Sequence, residues 1–190
     1  MAVHRRLLFG SLAVAAVVAV AGGWALSRTD DDQVLRIDGA GGATQDPTIG
    51  TNAKVSGEQL PDVELVDNDG ATVRTADLEG TPLVINYWFS TCAPCKEELP
   101  AFGAVSAEYA GKVRFVGVNP QDSAETNQSF ARDRGVQYEL LRDPDGAYAS
   151  TLGVSTAPFT LFVAADGTIV RQTGVLTADT LRSHLEELLA

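Results

Sequence analysis

The sequence predicts an α/β domain: a mixed central sheet flanked by helices, with a β-hairpin near its N-terminal edge and a helix–strand insert in its middle. Three observations predict it. Residues 82–89 form a short apolar run rich in β-branched and aromatic side chains, which reads as a buried strand; directly after it Leu99, Phe102 and Val105 recur at helical spacing. Turn signals flanked by strand-like runs occur at both ends of the domain, Asp67-Asn68-Asp69-Gly70 and Ala165-Asp166-Gly167. Between them strand-like and helix-like segments alternate, a pattern whose stable solution is a sheet with helices on both faces.

The chain has 190 residues and a formal net charge of −11, enough for one globular domain plus appendages. Both Arg5 and Arg6 precede every Asp and Glu; from residue 27 onward 12 Lys and Arg face 25 Asp and Glu. A body this acidic repels phosphate backbones, which excludes nucleic acid as an expected partner.

Residues 1–6 are a short basic start, and residues 7–26 run uncharged for 20 positions, the length an α-helix needs to cross the hydrocarbon core. Arginines before the run and acids after it place residues 1–6 in the cytoplasm and everything after Leu26 outside. The run is either a retained signal anchor, as its full length and the interfacial Trp24 favour, or a signal peptide cleaved near Ala19-Val20-Ala21. The expected localisation is accordingly the cell membrane, single-pass, or secretion if the segment is cleaved. Residues 27–53, with Asp30-Asp31-Asp32 and a glycine-rich stretch at 39–43, read as a flexible linker. Residues 54–190 are the expected domain.

Within it, residues 60–66 and 71–74 form the first hairpin and 75–80 a short helical turn or loop. The strand 82–89 follows, then a helix from Cys92 or Ala93 to Tyr109, with Gly111 as its stop and a kink expected at Pro100. Residues 113–119 are the next strand. Ser123 caps a helix running through Phe130 and Ala131 to Gly135. Residues 136–141 are extended, 143–146 a turn, 147–152 a short helix ended by Gly153. The second hairpin pairs 159–164 with 168–172, and Thr177 caps a last helix carrying Leu181, Leu185 and Leu188.

Cys92 and Cys95 are the chain's only cysteines, and they sit where strand becomes helix. A thiol there faces unpaired N–H groups and the positive end of the helix dipole, so its thiolate is stabilised. With His4 and His184 the only histidines, the usual Cys/His set for zinc cannot be assembled, and no metal or other cofactor is expected beyond a redox-active disulfide.

Cys92-Ala93-Pro94-Cys95 on a strand-to-helix turn, Glu98-Leu99-Pro100 behind it, and Thr156-Ala157-Pro158 before the second hairpin together resemble the thioredoxin-like superfamily, and within it the membrane-anchored, extracytoplasmic thiol–disulfide oxidoreductases of the TlpA/ResA-like branch. The resemblance covers about residues 55–190. It implies that Cys92 is the exposed attacking thiol and Cys95 the resolving one, and that the Ala157–Pro158 bond is cis and faces the pair. It further implies that Ala157 can pair with an extended substrate, and that Glu98 shuttles a proton to or from the resolving thiol. Trp88, Ala93, Pro94, Thr156 and Ala157 are the implied substrate-facing residues. A plain surface carboxylate is the competing reading of Glu98, and core packing that of Trp88. Two positions depart from the pattern: Asn86 stands where thioredoxin has a buried Asp, and Thr91 where a Trp usually precedes the first cysteine.

The expected chemistry is thiol–disulfide exchange that reduces exported proteins, including apocytochrome c, with a membrane thiol donor recharging the pair. Three alternatives stay open: a thiol oxidase or isomerase of the same fold, a Cu(I)-binding chaperone using both thiolates, and a peroxiredoxin-like peroxidase, against which Phe89 stands where a peroxide-orienting Thr or Ser is needed.

Overall fold

The computed structural model describes residues 51–190; the expected cytoplasmic start (1–6), membrane segment (7–26) and linker as far as residue 50 lie outside the described residues. Among the described residues no helix is long and apolar enough to cross a membrane.

The strands are β1 (Glu64–Asp67), β2 (Thr72–Arg74), β3 (Leu83–Tyr87), β4 (Arg114–Asn119), β5 (Glu139–Arg142), β6 (Phe159–Val163) and β7 (Ile169–Thr173). The helices are α1 (Ala93–Glu108), α2 (Ala124–Arg132), α3 (Ala147–Leu152) and α4 (Ala178–Leu188), with a 3-10 turn at Thr75–Leu78. The seven strands form one mixed sheet in the order β2-β1-β5-β4-β3-β6-β7. β3, β4 and β5 run parallel, whereas β1, β6 and β7 join antiparallel. The fold is thioredoxin-like, with the first hairpin at one edge and the α2–β5 insert threaded between β1 and β4.

Alternation along β3 divides the core. Leu83, Ile85 and Tyr87 face a cluster with Leu60, Val63, Leu78 and, from α3, Tyr148 and Leu152. Val84 faces Phe102 and Val105 of α1 together with Leu181 and Leu185 of α4. Every residue of β3 is buried, as expected of a central strand covered on both faces. The caps act where the sequence places them: Ser123 Oγ accepts the Thr126 N–H, and Thr177 shares a capping box with Thr180. Pro100 does not end α1; it lies on the exposed side of the helix, where water can take the carbonyl left without its donor.

Several boundaries shift from the sequence reading, and at three of them the side chains and hydrogen bonds give the reason. The first hairpin begins at Glu64 instead of residue 60, because Pro61 has no N–H to donate and Val63 N–H goes to Thr75 Oγ1. β5 begins at Glu139 instead of residue 136, because Val136 turns inward to pack beside the cysteines and its N–H goes back to Ala131. The linker was expected to run through residue 53, yet Asn52 is buried and Ala53 N–H donates to Gly153 O at 3.0 Å. Backbone and side-chain hydrogen bonds thus tie residues 51–53 into the domain.

Candidate active site

The parallel strands β3 and β4 end side by side, and the chain leaving β3 turns through residues 88–92 into α1. Cys92 is the N-cap of α1. Cys92 and Cys95 are joined as a disulfide, with Cα atoms 5.3 Å apart, and Cys95 N–H donates to Cys92 Sγ at 3.3 Å. Pro94 occupies the first turn, where its missing N–H leaves nothing unpaired. The sulfur at the mouth of the helix therefore receives an N–H bond on top of the dipole. Cys92 keeps 6% exposure and Cys95 none, so an incoming group meets Cys92 first. Cys92 is far less open than an exposed thiol, because Leu99, Ala131 and Val136 pack around the pair.

Ala93 and Thr156 are exposed, Pro94 and Ala157 half-buried, and Pro158 buried. The Ala157–Pro158 bond is cis. β6 pairs with β3 with Phe159 opposite Tyr87, and this register brings the loop 156–158 to the end of β3 that carries the cysteines. Ala157 packs on the cysteine cluster. Trp88, expected to face the substrate, is fully buried and cannot do so. The insert explains why, since Phe130 of α2 stacks on the indole with centroids 5.6 Å apart, and the Arg134 guanidinium covers Phe130. On the other side Gly117 makes room, because a Cβ there would stand 2.8 Å from Trp88 Nε1.

Glu98 is no surface carboxylate; it is 2% exposed, whereas its neighbour Glu97 is exposed. Its position one turn after Cys95 turns it toward the sheet. Glu98 Oε1 accepts from Asn86 Nδ2 at 3.0 Å, and Glu98 Oε2 accepts from Leu176 N–H at 3.1 Å. Asn86 Nδ2 also donates to Thr160 Oγ1 at 3.1 Å. Nearby, burial first and the Glu98 charge second push the Tyr138 hydroxyl far above its usual range.

Two groups at the site escaped sequence reasoning. Asp122, in the loop after β4, holds the turn before Cys92: Ser90 N–H donates to Oδ2 at 2.7 Å and Ser90 Oγ to Oδ1 at 2.6 Å. Asn119 fixes Asp122 in turn, donating from Nδ2 at 2.7 Å and accepting the Asp122 N–H on Oδ1 at 2.9 Å. The available signal was the run of polar side chains at the carboxyl end of a parallel strand, where α/β sheets place their sites. The other group is Asn52, whose side chain grips Ser155 and Thr156. His184 is set edge-on against Phe162, with ring centroids 5.3 Å apart.

The model of the AhpC/TSA family matches residues 56–177, more than half of the chain. The chain belongs to the AhpC/TSA family. Among its AhpC/TSA-type relatives, the thiol-disulfide oxidoreductase ResA of Bacillus subtilis is 27% identical over 131 residues, 68% of this chain and 73% of that one. The solved structure of MTB dsbF in mixed oxidised and reduced forms superposes with a TM-score of 0.61 at 29% identity, over 66% of this chain and 94% of that one. A secreted Mycobacterium tuberculosis disulfide oxidoreductase homologous to E. coli DsbE superposes with a TM-score of 0.59 at 28% identity, over 66% of this chain and 96% of that one. The AhpC/TSA member described here is a thiol–disulfide oxidoreductase of the ResA/DsbE type.

Proposed function

We propose that the protein works outside the cytoplasm, held to the membrane through residues 7–26, and reduces disulfides of exported proteins, apocytochrome c among them. One observation carries the reading: a disulfide at a helix N-terminus of which Cys92 alone keeps any exposure, 6%. In the reduced protein the Cys92 thiolate attacks a substrate disulfide; the substrate S–S bond breaks, one substrate sulfur leaves as thiolate, and a mixed disulfide forms. Cys95, its proton taken by Glu98, then attacks the Cys92 sulfur, and the second substrate sulfur leaves and is protonated. Two electrons pass to the substrate, and Cys92–Cys95 is left oxidised for a membrane dithiol donor to reduce. The 20-residue apolar run supports the location, as does the secreted nature of the mycobacterial relative.

Thiol oxidation is a second reading with an observation behind it. The Cys95 N–H and the helix dipole stabilise a Cys92 thiolate, which favours the reduced protein and an oxidising potential, whereas a buried carboxylate one turn after Cys95 works against it. About 30 mV corresponds to ~1.4 kcal/mol, so either effect is large enough to set the direction. Equilibration of the pair against glutathione and dithiothreitol decides: a potential well below the glutathione range is expected, and one near the strongly oxidising end would sink the reductase. Cys95→Ala should trap exported substrates on Cys92 as mixed disulfides; the absence of such adducts would count against exchange altogether.

A further inference from the structure

The loop 154–158 belongs to no strand or helix, so its backbone groups need partners from elsewhere. Val154 N–H turns back to Ala149 O, and Ser155 and Thr156 find theirs in one side chain about a hundred residues earlier. Asn52 Oδ1 accepts the N–H of Ser155 at 2.7 Å and of Thr156 at 2.9 Å. Asn52 Nδ2 donates to Thr156 O at 3.2 Å. Both backbone polar groups of Thr156 are thus held by one amide. The amide is itself fixed, because Ser155 Oγ donates to Thr51 O at 2.7 Å, Ala53 N–H to Gly153 O at 3.0 Å, and Gln172 Nε2 to Ala53 O at 2.9 Å.

The consequence falls on the next residue. Ala157 lies against the cysteine cluster, and among the described residues no backbone hydrogen bond engages its N–H or C=O. With the backbone N–H and C=O of Thr156 taken by Asn52, Ala157 is the point at which an extended chain could add to this edge of the site by main-chain pairing.

We infer that Asn52 is a positioning residue for polypeptide substrates: it locks the Ser155–Thr156 loop so that Ala157 meets an incoming chain in one orientation. This deepens the proposed exchange with exported proteins and rests on that reading. Without the amide, the loop must be ordered by each substrate as it binds, and that ordering is subtracted from its affinity. A small aromatic disulfide that only touches Cys92 does not need the loop.

The test uses the reduced full chain in detergent, with insulin as the polypeptide disulfide and 5,5′-dithiobis(2-nitrobenzoate) as the small one, followed by stopped flow. For Asn52→Ala, half-saturation by insulin should rise about tenfold, ~1.4 kcal/mol. The maximal insulin rate and the reduction potential should stay put, so the ratio of insulin to small-disulfide second-order rates falls by the same factor. Asn52→Asp keeps the acceptor oxygen but sets a second oxygen against Thr156 O, so an intermediate value is expected, and it carries the comparison if the alanine variant does not fold. Equal losses with both disulfides, a shifted potential, or unchanged insulin saturation in a folded variant would overturn the role of Asn52. Failure of the wild type to saturate with insulin would remove polypeptide docking itself, and the role of Asn52 with it.

Discussion

Asn86 Nδ2 donates to Glu98 Oε1 across 3.0 Å, joining the central strand to the helix that carries the cysteines, and both side chains are almost sealed from water. A buried carboxylate that loses one of its donors bears part of its desolvation cost uncompensated, ~1–3 kcal/mol or more for a charged group. Asn86→Leu is therefore expected to lower unfolding free energy by at least about 2 kcal/mol. Asn86→Asp puts a second carboxylate against Glu98, and like charges there favour sharing one proton. The folded variant then binds more protons than the unfolded chain, so its stability falls as pH rises. Urea melts at pH 5 and pH 7.5 should show the Asp variant recovering on acidification and the Leu variant failing to do so.

Glu98→Gln addresses the proton step separately. General acid–base help is worth ~10²–10⁴-fold, so release of substrate from the Cys92 mixed disulfide should slow by about 10² while formation of that adduct proceeds normally. Quenched-flow trapping separates the two steps. Equal slowing of both would assign Glu98 a structural role only.

Asp122 anchors the turn before Cys92 through three short contacts, from Ser90 N–H, Ser90 Oγ and Asn119 Nδ2. Bonds to a charged acceptor are worth ~1.5–3 kcal/mol each, not additively. Asp122→Ala should cost about 3 kcal/mol in urea unfolding and speed amide exchange at Ser90 by a factor of ten or more. Unchanged exchange there would mean the turn is held by its own packing.

Burial, chiefly, and the nearby Arg171 hold the His184 imidazole below its ordinary range, with Glu187 opposing them. The unfolded chain then binds more protons between that lowered value and about 6.5, so stability is complete above about pH 6.5 and declines as pH falls below it. Asp62 and Glu108, held low mainly by hydrogen bonds from Arg74 and Arg182, lose their contribution only below about pH 4. His184→Gln should flatten the urea midpoint between pH 7 and pH 5. A variant that tracks the wild type through this window would clear His184 of the effect.

Much of the fold was legible because its signals are local. The hairpin turns, the Ser123 and Thr177 caps, the buried β3 run and the cysteines at the α1 mouth each depend on residues within a few positions of one another, and all stand where the sequence puts them. The site was legible along the same line and no further. Trp88 reads as an aromatic beside the cysteines, and only Phe130, forty-two positions on, makes it core. Asn52 reads as linker, and only the loop 104 residues away makes it a clamp.

By itself, then, the sequence determined a reactive cysteine pair on a strand-to-helix turn, with a carboxylate one turn behind, in an α/β domain that follows an apolar run long enough to span a membrane. The tertiary structure decided that the carboxylate points inward onto Asn86 and the Leu176 N–H, that Asp122 holds the cysteine-bearing turn, and that Asn52 holds the loop opposite. Propensity and periodicity act through neighbours along the chain. Which buried polar groups meet depends on strand order and register, and those are set when the whole core closes.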